Sequence, residues 1–318
     1  MPVTVCLAGD TMLGRGVAEV LRSGGGPVVS DEICDLASDA DLFLVNLECC
    51  ISTRGEPWGE PGKPFFFRAP PSATDVLNDL GVDCVTLANN HALDFGYDAL
   101  LDTFGYLDEA GIAWIGAGPD SAAARRSRVL SVGDVSIETI AIADHPASYA
   151  ATDDVPGIAY ADLRAEVPGW VLEAVRASTA DVVVVTPHWG PNMVGEPVAH
   201  VSRAASDLTG AGATLIAGHS AHVFHGVDGS ILFDLGDFID DYATDPVLRN
   251  DLGLLWFVIV ESRRVARIEA VPLVLDYCFT RVATGADAAW IEHRFRSVCD
   301  AFGSRVSTEN GRLVVEVG

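Results

Sequence analysis

The chain has 318 residues, 49% of them hydrophobic, which is enough to bury a sizeable core and rules out a disordered polymer. Acidic residues number 45 against 20 basic ones, for a formal charge of −25, and Lys63 is the single lysine. A surface so poor in cations argues against nucleic acid as a partner.

The apolar runs are short. The longest, Gly253–Val260, falls far below the ~20 residues a membrane helix needs, and no basic segment precedes an apolar one near the start. The expectation is a cytoplasmic protein with no membrane partner. Seven cysteines without C-x-x-C spacing do not form a disulfide framework, and Cys6, Cys49, Cys50 and Cys84 read as core thiols.

Taken in chain order, short apolar strands alternate with amphipathic helices, the pattern of an α/β layered domain. Val3–Ala8 and Asp41–Asn46 read as strands. Ser72 is placed to cap a helix ending at Gly81, and Cys84–Ala88 follows as a strand. Leu100, Phe104 and Leu107 share one face of a helix that stops at Gly111. Val182–Thr186 is a β-branched run suited to a buried strand. Val198, Val201, Ala205 and Leu208 form a helical stripe, and Leu215–Ala217 leads into a strand. From about residue 231 the chain turns mostly β, through Ile231–Leu235, Leu254–Val260 and Val265–Leu275, before a last helix near Asp287–Ala301. Gly24–Gly26 and Gly55–Pro64 read as loops, the second long enough to shape a pocket mouth. The whole reads as one domain over 1–318.

Polar residues cluster just after the apolar runs. Gly9-Asp10 follows the first, Asn46-Leu47-Glu48 the second, and Asn89-Asn90-His91 with Asp94 the third. His188-Trp189-Gly190, Gly218-His219-Ser220-Ala221-His222 (with His225) and Gly236-Asp237 follow three later runs. The carboxyl ends of strands in an open α/β sheet form its ligand crevice, so these groups converge on one edge. His145, before Pro146, reads as a turn residue; His200 and His293 read as surface positions; Asp240 and Asp241 read as a solvated acidic pair.

These motifs, in this order, resemble the CapA-like (poly-γ-glutamate capsule synthesis) proteins of the calcineurin-like metallophosphatase superfamily, from about Val3 to Leu275. The resemblance implies a four-layer αββα sandwich with mixed sheets. It implies a divalent metal held among Asp10, Glu48, Asn90, His188 and His219, and an acid/base unit of His91 with Asp94. Two departures stand out. Metallophosphatases usually carry a histidine where Met12 stands, and the late loop reads Gly-His-Ser-Ala-His rather than Gly-His-His-Pro-His. Oxygen donors remain, which suits one hard cation, Ca²⁺, Mg²⁺ or Mn²⁺, better than a soft-ligand zinc site.

Two histidines flanking a carbon acid can remove a proton from one face and return it to the other. His91 with Asp94, and His222 with Asp237, are the expected pairs. Members of the group typically carry a membrane anchor, and none is read here. With that and its altered metal motifs, the chain resembles the branch that epimerises the C-terminal residue of lasso-peptide precursors, which makes metal-dependent peptide epimerisation the expected activity and a precursor peptide the expected partner. A metal-dependent phosphoesterase or amide hydrolase, and a capsule-polymer accessory protein without turnover, remain alternatives. The loop from Trp58 through Lys63 and Phe65-Phe66-Phe67 to Arg68 combines aromatics with two cations, which suits a peptide end bearing a carboxylate. The same Phe run could instead fill the core.

Overall fold

The computed structural model describes residues 2–59 and 62–318, so Glu60 and Pro61 of the expected 55–64 loop lie outside the described residues. The layering follows from which strand faces are apolar. Val182–His188 is buried at every position. Val183 and Val185 pack against Val171 and Val175 of helix Gly169–Ala177 and against Val201, Ala205 and Leu208 of helix Ala199–Ala211. Val184 and Thr186 point the other way, because successive side chains of a strand take opposite faces. They line a thin gap shared with Leu7, Leu44, Cys84 and Ile115. That gap is the interface between two sheets, and helices cover the outer faces, giving the four-layer αββα sandwich.

The larger, 10-stranded sheet runs Val306–Glu309, Arg312–Glu316, Arg264–Asp276, Leu252–Glu261, Val3–Thr11, Leu42–Leu47, Cys84–Thr86, Ala113–Ile115, with Asp237–Ile239 also paired to Val3–Thr11 and Phe279–Val282 to Arg264–Asp276. From Val3–Thr11 onward the pairings are parallel, whereas Leu252–Glu261 lies antiparallel to Val3–Thr11 and opens an antiparallel meander. The 6-stranded sheet runs Val227–Asp228, Ile231–Leu232, Leu215–Ala217, Val182–His188, Val135–Ala143, Arg128–Val132, with parallel strands inside and antiparallel pairs at both edges. The β-rich stretch after residue 231 is therefore divided between both sheets rather than forming a layer of its own.

Helix Gly96–Ala110 buries Leu100, Phe104 and Leu107 as its pattern requires, and Gly111 ends it in the left-handed conformation at φ 76°. Phe104 stacks on Trp114 of the neighbouring strand at 4.1 Å. Ser72 does precede helix Ala73–Asp79, but its hydroxyl makes no cap bond. Helices Arg15–Ser23 and Asp31–Ser38 were not expected; they are short, and Asp31–Ser38 buries only Ile33 and Ala37. All seven cysteines are free, and burial pushes the thiols of Cys49 and Cys84 up to about 12. Among the described residues no helix is long and apolar enough to cross a membrane.

Strand Val3–Thr11 meets the chain entering its parallel neighbour Asp237–Ile239 most tightly where neither carries a side chain. Asp10 N–H donates to Gly236 O at 2.9 Å, and a Cβ on Gly9 would stand 1.8 Å from that same oxygen. Gly9→Ala must push two backbones apart and should cost at least ~3 kcal/mol. Urea unfolding checks this against Leu101→Ala at an exposed helix position. A Gly9→Ala midpoint matching wild type would show that the contact is not a constraint.

Candidate metal centre

The backbone register assembles the centre before any side chain is considered. Asp10, near the end of Val3–Thr11, pairs with Asn46 on one neighbouring strand and with Asp237 on the other. In-register neighbours point to one face, so the three side chains converge. On the facing sheet, His188 ends its strand and is bridged to His219. Glu48 follows directly on Leu42–Leu47. His222 sits on the loop after Leu215–Ala217 at φ 60°, with Ser220 at φ 110°, which turns that loop back toward Asp10.

None of Asp10, Asn46, Glu48, His188, His219, His222 and Asp237 is more than 8% exposed. Asn46 Nδ2 donates to Asp10 Oδ1 at 2.8 Å, and Asn89 Nδ2 fixes that amide by donating to Asn46 Oδ1 at 3.0 Å. His219 Nδ1 lies 3.2 Å from Asp10 Oδ1, His222 Nδ1 3.4 Å from Asp10 Oδ2, and His188 Nδ1 3.4 Å from Glu48 Oε1. His222 Nδ1 is also 2.8 Å from Asp237 Oδ1.

Two sets of donors have the spacing of a metal site, Asp10 with Glu48 and His188, and Asp10 with His222 and Asp237; within each, the atoms lie within 4.8 Å of one another. Both sets contain Asp10. Glu48 Oε2, His188 Nε2 and Asp237 Oδ2 are buried without a hydrogen-bond partner, a costly state that a cation relieves. Electrostatics agrees. Burial works to raise Asp10, but the neighbouring His219, His222 and His188 outweigh it and hold the carboxylate low. Burial, then the charge of Asp10, pushes Glu48 up, and burial, then Asp240, pushes Asp237 up. Burial, then His145, holds His188 in its neutral, ligating form. The donors fit a divalent cation, with Asp10 placed to be shared if two are held.

His91 and Asp94 form a second cluster. Asp94 is fully buried and its carboxylate has four donors: His91 Nδ1 at 2.7 Å, Phe67 N at 2.6 Å, Lys63 Nζ at 3.0 Å and Tyr149 OH at 3.1 Å. Its backbone carbonyl accepts from Trp58 N at 2.8 Å. The expected substrate loop is thus strapped onto Asp94. Phe67 is buried and stacks on His91 with ring centroids 4.0 Å apart, while Phe65 is exposed. Trp58 packs edge-on against Tyr97 and Tyr149. Arg68 ties the loop to itself, donating to the carbonyls of Arg54 and Gly55 with its guanidinium over Phe95. The Asn90 carbonyl accepts from Lys63 Nζ at 2.7 Å, and its side-chain oxygen is buried and unpartnered.

Three expectations need correcting. Asp240 and Asp241 are buried, not solvated, and burial pushes Asp240 up to about 6. His200 is half-buried, its Nε2 3.2 Å from Asp144 Oδ2. His145 is more than a turn residue: it pairs with Asp144 at 2.5 Å, and its ring lies 5.2 Å from that of His188. Asn192, Asp234 and Tyr242 were missed. The Asn192 amide lies 3.0 Å from His222 Nε2, Asp234 accepts from Ala221 N and Gly236 N to shape the late loop, and Tyr242 packs edge-on against His222. None of the three belongs to a motif with chemistry legible from spacing alone.

Removing the shared carboxylate should damage both donor sets. After chelation and reloading with Mn²⁺, Asp10→Asn should lose nearly all bound metal by elemental analysis, whereas Glu48→Gln should lose only part; wild-type loading of Asp10→Asn would disprove the shared ligand. A second outcome concerns pH. Burial holds His225 down to about 4, with its Nε2–H donating to Val194 O at 2.8 Å. The unfolded chain takes up that proton near pH ~6.5, so stability is undiminished above that pH and falls as pH drops from ~6.5 to ~4. His225→Gln should flatten this acid limb by up to ~3 kcal/mol in denaturant titrations. An unchanged limb would count against a neutral buried His225.

The sequence matches the model of the bacterial capsule synthesis protein family PGA_cap over residues 4–242. A probable polyglutamine synthesis accessory protein of Mycobacterium tuberculosis is 30% identical, covering 98% of this chain and 95% of its own. The PGA biosynthesis protein CapA of Bacillus subtilis is 28% identical over 75% of this chain and 63% of its own. Among solved structures, a phosphatase from Mycoplasma pneumoniae superposes with a TM-score of 0.55 at 15% identity, covering 87% of this chain and 95% of that one, a likeness of fold alone. The chain belongs to the bacterial capsule synthesis family PGA_cap, the CapA-like proteins, built on the calcineurin-like metallophosphatase fold.

Proposed function

We propose that the protein is a divalent-metal-dependent hydrolase acting on a glutamate- or glutamine-containing chain; its relatives are named for polyglutamine synthesis and PGA biosynthesis. The observation that carries this reading is Asp10, common to two sets of donors, the arrangement in which a pair of ions clamps the reacting group. Bound ions supply Lewis acidity at the scissile carbonyl or phosphoryl oxygen. Imidazole donors in both sets favour Mn²⁺ over Ca²⁺, which prefers a shell of oxygens alone.

His91 is the proton carrier. Asp94 holds its Nδ1 and fixes the ring, leaving the unprotonated Nε2 to take a proton from the attacking water and then return it to the leaving group. Stacking on Phe67 stops the ring from turning away. Burial keeps His91 below the usual imidazole range, although Asp94 pulls the other way, so it enters the cycle neutral.

A second reading, peptide Cα epimerisation, is favoured by one further observation: His222–Asp237, at 2.8 Å, is a histidine–carboxylate pair of the same kind as His91–Asp94, at 2.7 Å. On that reading the substrate is a precursor peptide and the two pairs work on opposite faces. Incubating Mn²⁺-loaded protein in D₂O with a γ-linked glutamate oligomer and with a peptide separates the readings by mass spectrometry. Cleavage supports hydrolysis; deuterium at one Cα without cleavage supports epimerisation. Binding without either would leave an accessory role and overturn both. His91→Ala should lower the observed turnover by ~10²–10⁴-fold with metal loading retained, and wild-type turnover in that variant would remove His91 from the mechanism.

A further inference from the structure

We propose that Arg15 is a substrate-binding residue at the mouth of the metal centre, and that it recognises a carboxylate or phosphoryl group on the incoming chain. The inference rests on the reading of the centre as a substrate site.

Arg15 follows the loop that leaves Asp10, and its backbone takes the left-handed conformation at φ 45°, which a non-glycine residue adopts only when its surroundings enforce it. The surroundings do. Arg15 Nε lies 3.2 Å from Asp241 Oδ2. The guanidinium carbon stands 5.3 Å from the ring centroid of Phe65 and 5.6 Å from that of Phe67. Asp241 is itself buried and anchored, accepting from Gly16 N at 2.9 Å. One edge of the guanidinium is therefore pinned. Its terminal amino groups donate no hydrogen bond among the described residues, and the side chain is 35% exposed.

The position connects this cation to the chemistry. Phe67 touches Arg15 and also stacks on His91. The same ring lies 5.8 Å from Tyr242, which in turn packs on His222 at 5.4 Å. A single aromatic ring thus separates Arg15 from the acid/base histidine. On the outer side are Phe65, 54% exposed, and Tyr277, 73% exposed. A planar, pre-oriented guanidinium with two free donors matches the paired oxygens of a carboxylate or phosphate. In a protein of formal charge −25, such a local cation determines where an anionic chain can approach. Neutralising Asp241 would require only a charge; the stacking and the free edge are what a ligand-binding arginine needs.

Isothermal titration of the Mn²⁺-loaded protein tests this with three probes: a γ-linked glutamate tetramer, O-phosphoserine and a neutral glutamine tetramer. Wild type should bind one of the anions better than the neutral peptide. Arg15→Gln should weaken that anion by ~10–100-fold, the scale of a lost charged hydrogen bond, with Mn²⁺ stoichiometry and melting temperature unchanged. Arg15→Lys should recover part of the loss, since it restores charge but not the fork. The anion that responds identifies the group as carboxylate or phosphoryl. Phe65→Ala, which loosens the guanidinium without touching the ion pair, should weaken the same anion by a smaller factor and serves as the readout if Arg15→Gln does not fold. Equal anion affinity in wild type and Arg15→Gln, or in wild type and Phe65→Ala where that variant is the readout, overturns the proposal, as does wild-type preference for the neutral peptide. Arg15-dependent binding without cleavage would leave the proposal standing and bring down the hydrolase reading instead.

Discussion

A carboxylate without access to solvent, Asp10, is the constraint around which this molecule is arranged. Burying one ionised acid is expensive, and here Glu48, Asp234, Asp237 and Asp240 are buried with it. Asp10 stays ionised because an amide and three imidazoles surround it, and those partners come from both sheets. The sandwich therefore closes on its own electrostatic balance. If the sheets moved apart, Asp10 would lose His219 and His222; the Gly9–Gly236 approach acts within one sheet, bringing Asp237 alongside Asp10. Glu48 and Asp237, pushed up by burial and by their acidic neighbours, lack enough protein cation nearby to stabilise their charged forms. A divalent ion would supply it, which would couple metal binding to the stability of the sheet interface.

Asp94 solves a different problem with the same residue type. It is buried, but its carboxylate receives four donors, so its charge is met by the protein alone. The contrast divides the acids of the site by role. Glu48 and Asp237, which join a buried, unpartnered oxygen to the spacing of a donor set, are arranged for a cation; Asp240 and Asp241 also have an unpartnered oxygen but belong to neither set. The saturated acid is arranged for geometry: it orients His91 and holds the loop that brings Phe67 and Lys63 to the centre. Lys63, the single lysine, thereby serves as a strap between Asp94 and the Asn90 carbonyl, whereas Arg15 keeps terminal donors without a hydrogen bond among the described residues.

Much of this was legible in the sequence, for a physical reason. Strand interiors such as Val182–Thr186 are apolar on both faces, and the first polar residues after them must stand at a sheet edge. Asp10, Glu48, His188 and His219 could be placed from that alone. What sequence could not supply was depth. Asp240-Asp241 has the composition of a solvated pair, and its burial depends on Phe238 and Ile239 entering the sheet beside Val3–Thr11. His145 reads as a turn because its partner is Asp144, its immediate neighbour, while its closeness to His188 spans separate strands. Arg15 carried no signal, since its role depends on aromatic rings about fifty residues away in the chain.

The substitution that appeared to erode the centre, Met12 in place of a histidine, has a structural answer. Met12 is fully buried, and its Sδ accepts the Gly14 amide at 3.0 Å, so the side chain is committed to the turn leading into Arg15. Position 12 is thus closed to a metal. The second donor set nevertheless exists, assembled from His222 and Asp237 around Asp10. Its imidazole comes from the late loop, His222 Nδ1 lying 3.4 Å from Asp10 Oδ2. That loop turns back at Ser220 and His222, both at positive φ, so that Asp234 accepts from the Ala221 amide and His222 reaches Asp10. The second candidate donor set is thus completed by the late loop and Asp237 rather than by position 12. The turn through Met12 and Gly14 instead delivers Arg15 to Asp241.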